Sequence, residues 1–261
     1  MLKKTPRQVY LELLRHTLEL DERLASLTKH INMEVNVVVD TSIIVLSALS
    51  NNVDKRRFII LSSLLLKLAR SRVPILIPSA AIDELWSILS ARGIPRKELP
   101  YKIKALIEQF MNLLNNVNRV VHRIHAITEY MEGGPHLSFN IKWEPFTIQD
   151  LEGIEYVMDA IGLNDAIMIN IAKRLNAYLL TTEKASSRGG LAFILHALRK
   201  GVKVVTPCSW ALATYYRTRI AKRYIKSEST EDIIGWLLDK RHGEERQGAL
   251  VERFQHCEKN A

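Results

Sequence analysis

Four carboxylates in this chain stand where strands end or where helices start in the predicted elements. Asp40 ends a β-branched stretch at 35–39, and Glu183 follows a second apolar stretch at 178–182. Glu84 lies in the first turns of one predicted helix, and Asp165 lies at the start of another. Ligands of open parallel sheets bind outside the carboxyl ends of the strands. We therefore expect the four side chains to converge at one edge of a sheet.

Carboxylates that converge in this way need a cation, because like charges raise one another's pKa and oppose ionisation. Oxygen ligands suit Mg²⁺ or Mn²⁺ better than zinc. Such an ion activates a bound water, orients a phosphate and offsets charge on the leaving oxygen. Taken singly, Glu84 and Asp165 fit a capping role at a helix start. The prediction of phosphoryl chemistry therefore depends on the four carboxylates taken together.

The elements that must position these acids alternate between strands and helices. We predict strands at 35–39, 75–77, 178–182 and 202–205. We predict helices at 56–72, 151–161 and 191–199, and two more that Ser79 and Asn164 cap. Alternation of this kind favours right-handed βαβ units and a parallel sheet. The fold class is therefore α/β.

The chain has 261 residues, a length that suits one large domain or one domain with an elaborate insertion. We predict an N-terminal helical extension at 1–34 and an α/β domain at 35–207. A mostly helical insertion interrupts this domain at about 93–150, where glycine and proline break the pattern. Residues 208–261 form a C-terminal helical extension with a charged tail that frays.

Four short segments carry a resemblance to a known family. Residues 38–42 (VVDTS) are a hydrophobic strand that ends in Asp-Thr-Ser, and residues 77–85 place a Glu-Leu pair after a strand and a proline. Residues 163–167 (LNDAI) and 180–184 (LTTEK) follow in order. In order, spacing and context these segments resemble the four motifs of the PIN-domain nucleases. The resemblance covers about residues 35–92 and 151–207.

The resemblance implies a three-layer α/β/α fold with a central parallel sheet of about five strands. It also implies an endoribonuclease that hydrolyses RNA phosphodiesters with Mg²⁺ or Mn²⁺, where Asp40, Glu84 and Asp165 bind the metal. Glu183 would be the fourth catalytic acid, although family members more often have Asp at that position. The side chains that would orient these carboxylates are Thr41, Ser42, Asn164 and Thr182.

The net charge of +9 is concentrated in one segment, because residues 184–227 hold ten basic residues and no acidic residue. The rest of the chain therefore sums to −1. Basic side chains neutralise phosphates, so we expect RNA, rather than DNA or a membrane, as the partner. The predicted nucleic-acid-binding residues are Lys184, Arg188, Arg217, Arg219, Lys222, Arg223 and Lys226.

The chain has two cysteines, Cys208 and Cys257, which are too few and too far apart in sequence for a disulfide framework or a zinc knuckle. A reducing, cytoplasmic location is therefore expected. Neither of the longest apolar stretches approaches the roughly 20 residues that a membrane span needs.

The sequence leaves several functional alternatives open. A non-catalytic RNA-binding or scaffold protein with a decayed site is one, and the Glu at position 183 is its only direct support. In that case the carboxylates of Asp40, Glu84 and Asp165 would lie more than roughly 8 Å apart, or would bond to basic side chains. An RNA-processing enzyme, such as an RNase P-like or ribosomal RNA maturation nuclease, competes with a toxin-type ribonuclease that has an antitoxin partner. A homodimer is a further open alternative.

Overall fold

Five parallel strands form one sheet in the spatial order β3-β2-β1-β4-β5. This computed structural model describes residues 4–27, 34–48, 55–112, 140–154, 161–225 and 227–260. In chain order the strands are β1 (Val37–Val39), β2 (Pro74–Pro78), β3 (Asn140–Glu144), β4 (Tyr178–Leu180) and β5 (Lys203–Val205). Every neighbouring pair is parallel. The predicted α/β class with a five-stranded parallel sheet is confirmed.

Helices cover both faces of the sheet. In chain order they are α1 (Pro6–Leu27), α2 (Thr41–Ala48), α3 (Lys55–Arg70), α4 (Ser79–Ala91), α5 (99–112), α6 (Leu163–Arg174), α7 (Arg188–Arg199), α8 (Pro207–Tyr215), α9 (Lys222–Tyr224), α10 (Thr230–Leu238) and α11 (Gly243–Asn260). A π-helical stretch, Tyr216–Ala221, joins α8 to α9.

Two hydrophobic cores lie on opposite faces of the sheet, because successive strand residues point to opposite sides. Val38 packs with α6, α7 and the C-terminal helices, whereas Val37 and Val39 pack with α2 and α3. Helix α1 contributes to both cores, with Leu13 and Leu18 in the first and Leu24 in the second. The strands are fully covered, as their nearly continuous apolar sequence indicates.

The predicted insertion at 93–150 needs correction, because it supplies an edge strand of the sheet. β3 pairs with β2 in register from Pro74↔Asn140 to Pro78↔Glu144. Lys142 and Trp143 are exposed, so this edge strand lacks the apolar run by which we recognised the inner strands. Helix α5 agrees with the predicted helical character, and residues 113–139 lie outside the described residues.

Two predicted helix caps are wrong. Helix α4 begins at Ser79 itself, and Pro78 occupies the N-cap position. Helix α6 begins at Leu163 after Gly162, whose φ of 79° suits glycine. Asn164 therefore lies inside the first turn. Of the predicted helix at 151–161, residues 155–160 lie outside the described residues, and the chain before them forms a short 3₁₀ turn at Ile148–Leu151.

The charged C-terminal tail does not fray as predicted, because it forms helix α11. Leu250, Phe254 and Glu258 recur every four residues and are buried, which gives this polar segment one narrow packed face. The ring of Phe254 stacks on that of Tyr10, with centroids 4.5 Å apart. The C-terminal segment is therefore anchored to α1.

The structure contains a disulfide that the number and sequence separation of the two cysteines did not predict. Cys208 and Cys257 form a disulfide with their Cα atoms 5.8 Å apart. Separation along the sequence is no obstacle, because α11 returns to pack against α8 and brings the two residues together. The bond joins the start of α8 to the end of α11.

We predict that Cys257→Ser lowers the free energy of unfolding under non-reducing conditions. The bond spans 49 residues, so the loss should be roughly 4 kcal/mol by the loop-entropy relation. Urea unfolding with and without dithiothreitol measures it. Cys208→Ser should give the same loss, and the reductant should bring the wild type down to both variants. Equal stability of wild type and variants without reductant would contradict the bond.

No helix within the described ranges is both long and apolar enough to cross a membrane.

Candidate functional site

Asp40 extends the ladder between β1 and β4 by one residue. Its backbone N–H donates to the carbonyl of Leu180 at 2.9 Å. Because Val39 pairs with Leu180, Asp40 lies opposite Thr181. The Asp40 side chain is only 3% exposed. A buried carboxylate stands, as predicted, at the carboxyl end of the central strand.

Two hydroxyls hold the Asp40 carboxylate. Ser42 Oγ donates to Oδ2 at 2.6 Å, and Thr181 Oγ1 donates to the same oxygen at 2.5 Å. Burial raises the pKa of Asp40, and these hydrogen bonds offset part of that increase. One carboxylate oxygen is therefore fixed by the protein. Ser42 has the orienting role that the resemblance implies.

Glu84 and Asp165 converge on Asp40. One carboxylate oxygen from each of the three residues lies within 4.8 Å of those of the other two. Thr41 Oγ1 donates to Glu84 Oε2 at 2.6 Å, so Thr41 orients the second acid. Asp83 is exposed beside the half-buried Glu84, as expected for adjacent helix positions about 100° apart. Glu84, rather than Asp83, therefore faces the other two acids.

All three carboxylates resist ionisation. The pKa of Glu84 is raised to about 7, first by burial and then by the charge of Asp40. The pKa of Asp165 is raised to about 8 by burial and by the charges of Glu84, Asp40 and Glu183. None of the ion pairs in the described parts of the chain includes these three acids. Their mutual repulsion is therefore uncompensated by a basic side chain there.

Glu183 lies beside the group of three acids but is not part of it. Its backbone N–H donates to Thr181 Oγ1 at 3.0 Å. Burial and the charge of Asp40 raise the pKa of Glu183. A Cβ on Gly190 would lie 2.7 Å from Glu183 Oε2 and 2.4 Å from the Lys184 carbonyl oxygen. Only glycine at position 190 permits α7 to approach this loop so closely.

Thr181 is the functional residue that the sequence analysis missed, since it proposed Thr182 instead. The Thr182 backbone N–H donates to Ser42 Oγ at 3.0 Å, but its hydroxyl forms no hydrogen bond with the described residues. Thr181 contacts both Asp40 and Glu183. The register between β1 and β4 distinguishes Thr181 from Thr182, because it places the residue after Leu180 opposite Asp40.

We predict that Thr181→Val weakens Mn²⁺ binding about tenfold, the usual lower range for residues that orient metal ligands. The change keeps the shape of the side chain and removes its hydrogen bonds to Asp40 and Glu183. Isothermal titration with Mn²⁺ measures the effect. Thr182→Val is the matched control and should bind Mn²⁺ like the wild type. Equal losses in the two variants would contradict a specific role for Thr181.

Three other predicted residues lie near these acids. Asn164 is half-buried in the first turn of α6, and its side chain makes no hydrogen bond within the described residues. Lys184 Nζ donates to the carbonyl of Glu258 at 2.5 Å, which ties this cation to α11. Arg188 is exposed at the first position of α7. Arg188 is thus the predicted cation that is exposed and that follows the loop carrying Glu183.

The Arg217 guanidinium is bound by groups of α1. It lies 2.9 Å from the Asp21 carboxylate and 3.3 Å from that of Glu22. It also donates to the carbonyl of Leu18 at 2.7 Å. These contacts attach the π-helical stretch Tyr216–Ala221 to α1, so Arg217 is not part of the exposed nucleic-acid surface. Lys226 lies outside the described residues.

The remaining predicted cations form an exposed group that we name the basic helix surface: Arg219, Lys222 and Arg223. It follows Arg217, which contacts α1 at Asp21. Three residues further along α1, the carbonyl of Leu24 accepts a hydrogen bond from Ser71, just before β2 starts. The basic helix surface therefore lies towards the end of the sheet where strands begin. The acids lie at the other end.

Comparisons with protein-family models, with curated proteins and with solved structures found no match to this chain. The site must therefore be interpreted from its own chemistry. Three carboxylates with converging oxygens and raised pKa values fit a hard divalent cation such as Mg²⁺ or Mn²⁺. Neither histidine nor cysteine belongs to this group within the described residues, so a zinc site is disfavoured.

Proposed function

We propose that this protein is a metal-dependent endoribonuclease that hydrolyses RNA phosphodiester bonds. One observation carries the proposal: oxygens of Asp40, Glu84 and Asp165 lie within 4.8 Å of one another where the strands end. The order of the four PIN-like sequence motifs supports the same reaction. Asp40, Glu84 and Asp165 would hold Mg²⁺ or Mn²⁺.

The residues of the chain have distinct tasks in this proposal. Ser42 and Thr181 fix one oxygen of Asp40, and Thr41 fixes one oxygen of Glu84. Preformed ligand positions lower the cost of assembling the site for the reaction. When bound, the divalent ion supplies Lewis-acid chemistry, which activates water and offsets negative charge on the leaving oxygen. The expected products carry 5′-phosphate and 3′-hydroxyl ends.

The pKa values of Glu84 and Asp165 determine the pH range in which the site binds metal. With pKa values of about 7 and about 8, Glu84 is roughly half protonated and Asp165 is mostly protonated at neutral pH unless a cation displaces the protons. Metal binding therefore releases protons and strengthens as pH rises. Activity should increase between pH 6 and 9 at limiting metal concentration.

Two groups of exposed basic residues, one next to the loop that carries Glu183 and one farther along the chain, suggest how RNA would be held. Arg188 follows the loop that carries Glu183, whereas the basic helix surface lies along the helical stretch that starts at Pro207. At 1.5 Å per residue, Arg223 is roughly 20–25 Å from Pro207. A strand that keeps the roughly 3.4 Å rise of a duplex would need about six or seven nucleotides to span that length, and a more extended strand would need fewer. We therefore expect longer RNAs to bind more tightly than short ones.

The test is a cleavage assay on single-stranded RNA with EDTA, Mg²⁺ or Mn²⁺. Cleavage should require Mg²⁺ or Mn²⁺ and should leave 5′-phosphate ends, which a 5′-phosphate-dependent exonuclease detects. A matched single-stranded DNA reports the preference for RNA. Purified protein that binds Mn²⁺ but cleaves neither polymer would contradict the proposal.

The alternative, an RNA-binding protein without catalysis, has one observation in its favour: Glu183 is not part of the group of three acids. The distances between the three carboxylates favour catalysis, because their converging oxygens lie within 4.8 Å of one another. None of the three acids forms an ion pair within the described residues. RNA binding that is independent of metal, together with an absence of cleavage, would identify the alternative. The size of the chain and its insertion favour a processing role slightly over a toxin role.

A further inference from the structure

Another buried carboxylate contacts the loop at 181–187 and takes no part in the group of three acids. Glu258, on the last turns of α11, is 3% exposed. Its Oε1 accepts from the backbone N–H of Ala185 at 3.0 Å, and its Oε2 accepts from that of Ser186 at 3.0 Å. Tyr10 donates its hydroxyl to Oε2 at 3.1 Å. The burial of this charge is thus compensated by three donors.

The loop that Glu258 holds is connected through Glu183 and Thr181 to Asp40, one of the three acids proposed to bind the metal. Ala185 and Ser186 follow Glu183 and Lys184, and Ser187 then caps α7. Glu183 is tied by its N–H to Thr181, whose hydroxyl holds Asp40. A continuous series of hydrogen-bonded and adjacent residues therefore connects Glu258 with Asp40.

Helix α11 is fixed on both sides of Glu258. Cys257 is bonded to Cys208 at the start of α8, and the Glu258 carbonyl accepts a hydrogen bond from Lys184. Burial and the neighbouring Glu258 carboxylate raise the pKa of Tyr10 above its usual value, so its hydroxyl stays protonated as a donor. The position of the Glu258 carboxylate is therefore well determined.

We propose that Glu258 is a positioning residue: its carboxylate sets the conformation of the 181–187 loop, and through Thr181 and Glu183 it sets the metal affinity of the acid site. This inference rests on the proposed metal site. It assigns the C-terminal helix, which lies outside the PIN-like motifs, a task in the function of this protein. Glu258 itself binds no metal in this proposal.

The experiment titrates the full-length protein with Mn²⁺ at pH 7.5 by isothermal calorimetry. Glu258→Gln keeps the length of the side chain and replaces one acceptor oxygen with a donor, which faces a backbone N–H. We expect Mn²⁺ affinity to fall about tenfold, as for other residues that orient metal ligands. The matched control is Glu252→Gln, an exposed position on the same helix, which should bind Mn²⁺ like the wild type.

Tyr10→Phe tests the inference by removing the side-chain hydrogen bond to Glu258. It keeps both backbone hydrogen bonds to Glu258. It should weaken Mn²⁺ binding about threefold, the effect expected for the loss of one hydrogen bond. Thermal unfolding in EDTA identifies the temperature range in which each variant is folded. A merely structural residue would change the melting temperature but not the Mn²⁺ affinity of the folded protein. If Glu258→Gln does not fold, Tyr10→Phe decides alone.

The outcomes separate the two proposals. If the wild type gives no Mn²⁺ binding, the proposed metal site is wrong, and the role of Glu258 at that site is wrong with it. If the wild type binds Mn²⁺ and the folded Glu258→Gln and Tyr10→Phe variants bind it equally well, only the role of Glu258 is overturned. Weaker binding in these variants, with Glu252→Gln unchanged, supports the inference.

Discussion

Asp165→Asn should abolish metal-dependent RNA cleavage, with a loss of at least about a thousandfold, and should leave the metal-free protein as stable as the wild type or more stable. Asp165 supplies one of the three converging oxygens. Its pKa of about 8 reflects burial and the repulsion of Glu84, Asp40 and Glu183. Asparagine removes a carboxylate ligand of the metal, and it also removes the repulsion that Asp165 exerts on the other acids once it ionises.

Cleavage assays with Mn²⁺ and thermal unfolding in EDTA measure the two effects on the same preparation. Asp83→Asn is the matched control, because the same chemical change is made at an exposed position on α4 beside Glu84. It should leave both cleavage and stability unchanged. Full cleavage by Asp165→Asn would contradict the metal site. A large loss of stability in EDTA would instead mean that Asp165 has a structural role.

The stability of the metal-free protein should fall as pH rises from 6.5 to 9, by about 2–3 kcal/mol at 1.36 kcal/mol per pKa unit. Glu84 and Asp165 have pKa values of about 7 and 8 in the folded protein, above the ordinary values of 4.5 and 3.8. The folded state therefore holds protons that the unfolded state has already released. Raising the pH through 7 and 8 removes these protons and restores the repulsion.

Urea unfolding at several pH values in EDTA measures this dependence. Burial lowers the pKa of His16 to about 4, below its ordinary value of 6.5, so His16 adds only a small change of opposite sign at the low end of this range, where the unfolded chain releases its proton. Saturating Mn²⁺ should remove most of the decrease, since a cation replaces the protons. Asp165→Asn should also show a shallower decrease than the wild type. A flat profile for the wild type in EDTA would mean that neither burial nor repulsion raises the pKa values of these carboxylates.

The fold was predictable to the extent that its elements carry strong local patterns. The β-branched run at Val37–Val39 and the proline-bounded β2 are recognisable, because buried parallel strands must be continuously apolar. β3 was missed because an edge strand can expose residues such as Lys142 and Trp143. The disulfide was missed because it depends on the packing of α11 against α8, and no local pattern encodes that packing.

The candidate site was predicted better than its surroundings. Asp40, Glu84 and Asp165 follow from where strands end and helices begin, which is topological information present in the sequence. Thr181 and Glu258 could not be found in the same way. The choice between Thr181 and its neighbour depends on strand register, and Glu258 comes from a segment 75 positions after Glu183. Long-range packing decides both roles.

Helix α1 has a consequence for how the protein unfolds. Its first turns complete the core that contains Val38, and its last turns complete the core that contains Val37 and Val39. Because one rigid element seals both faces of the sheet, neither core can open without disturbing the other. We therefore expect that the 35–207 segment does not unfold as an independent cooperative unit. We expect the extensions and the sheet to melt together in a single calorimetric transition.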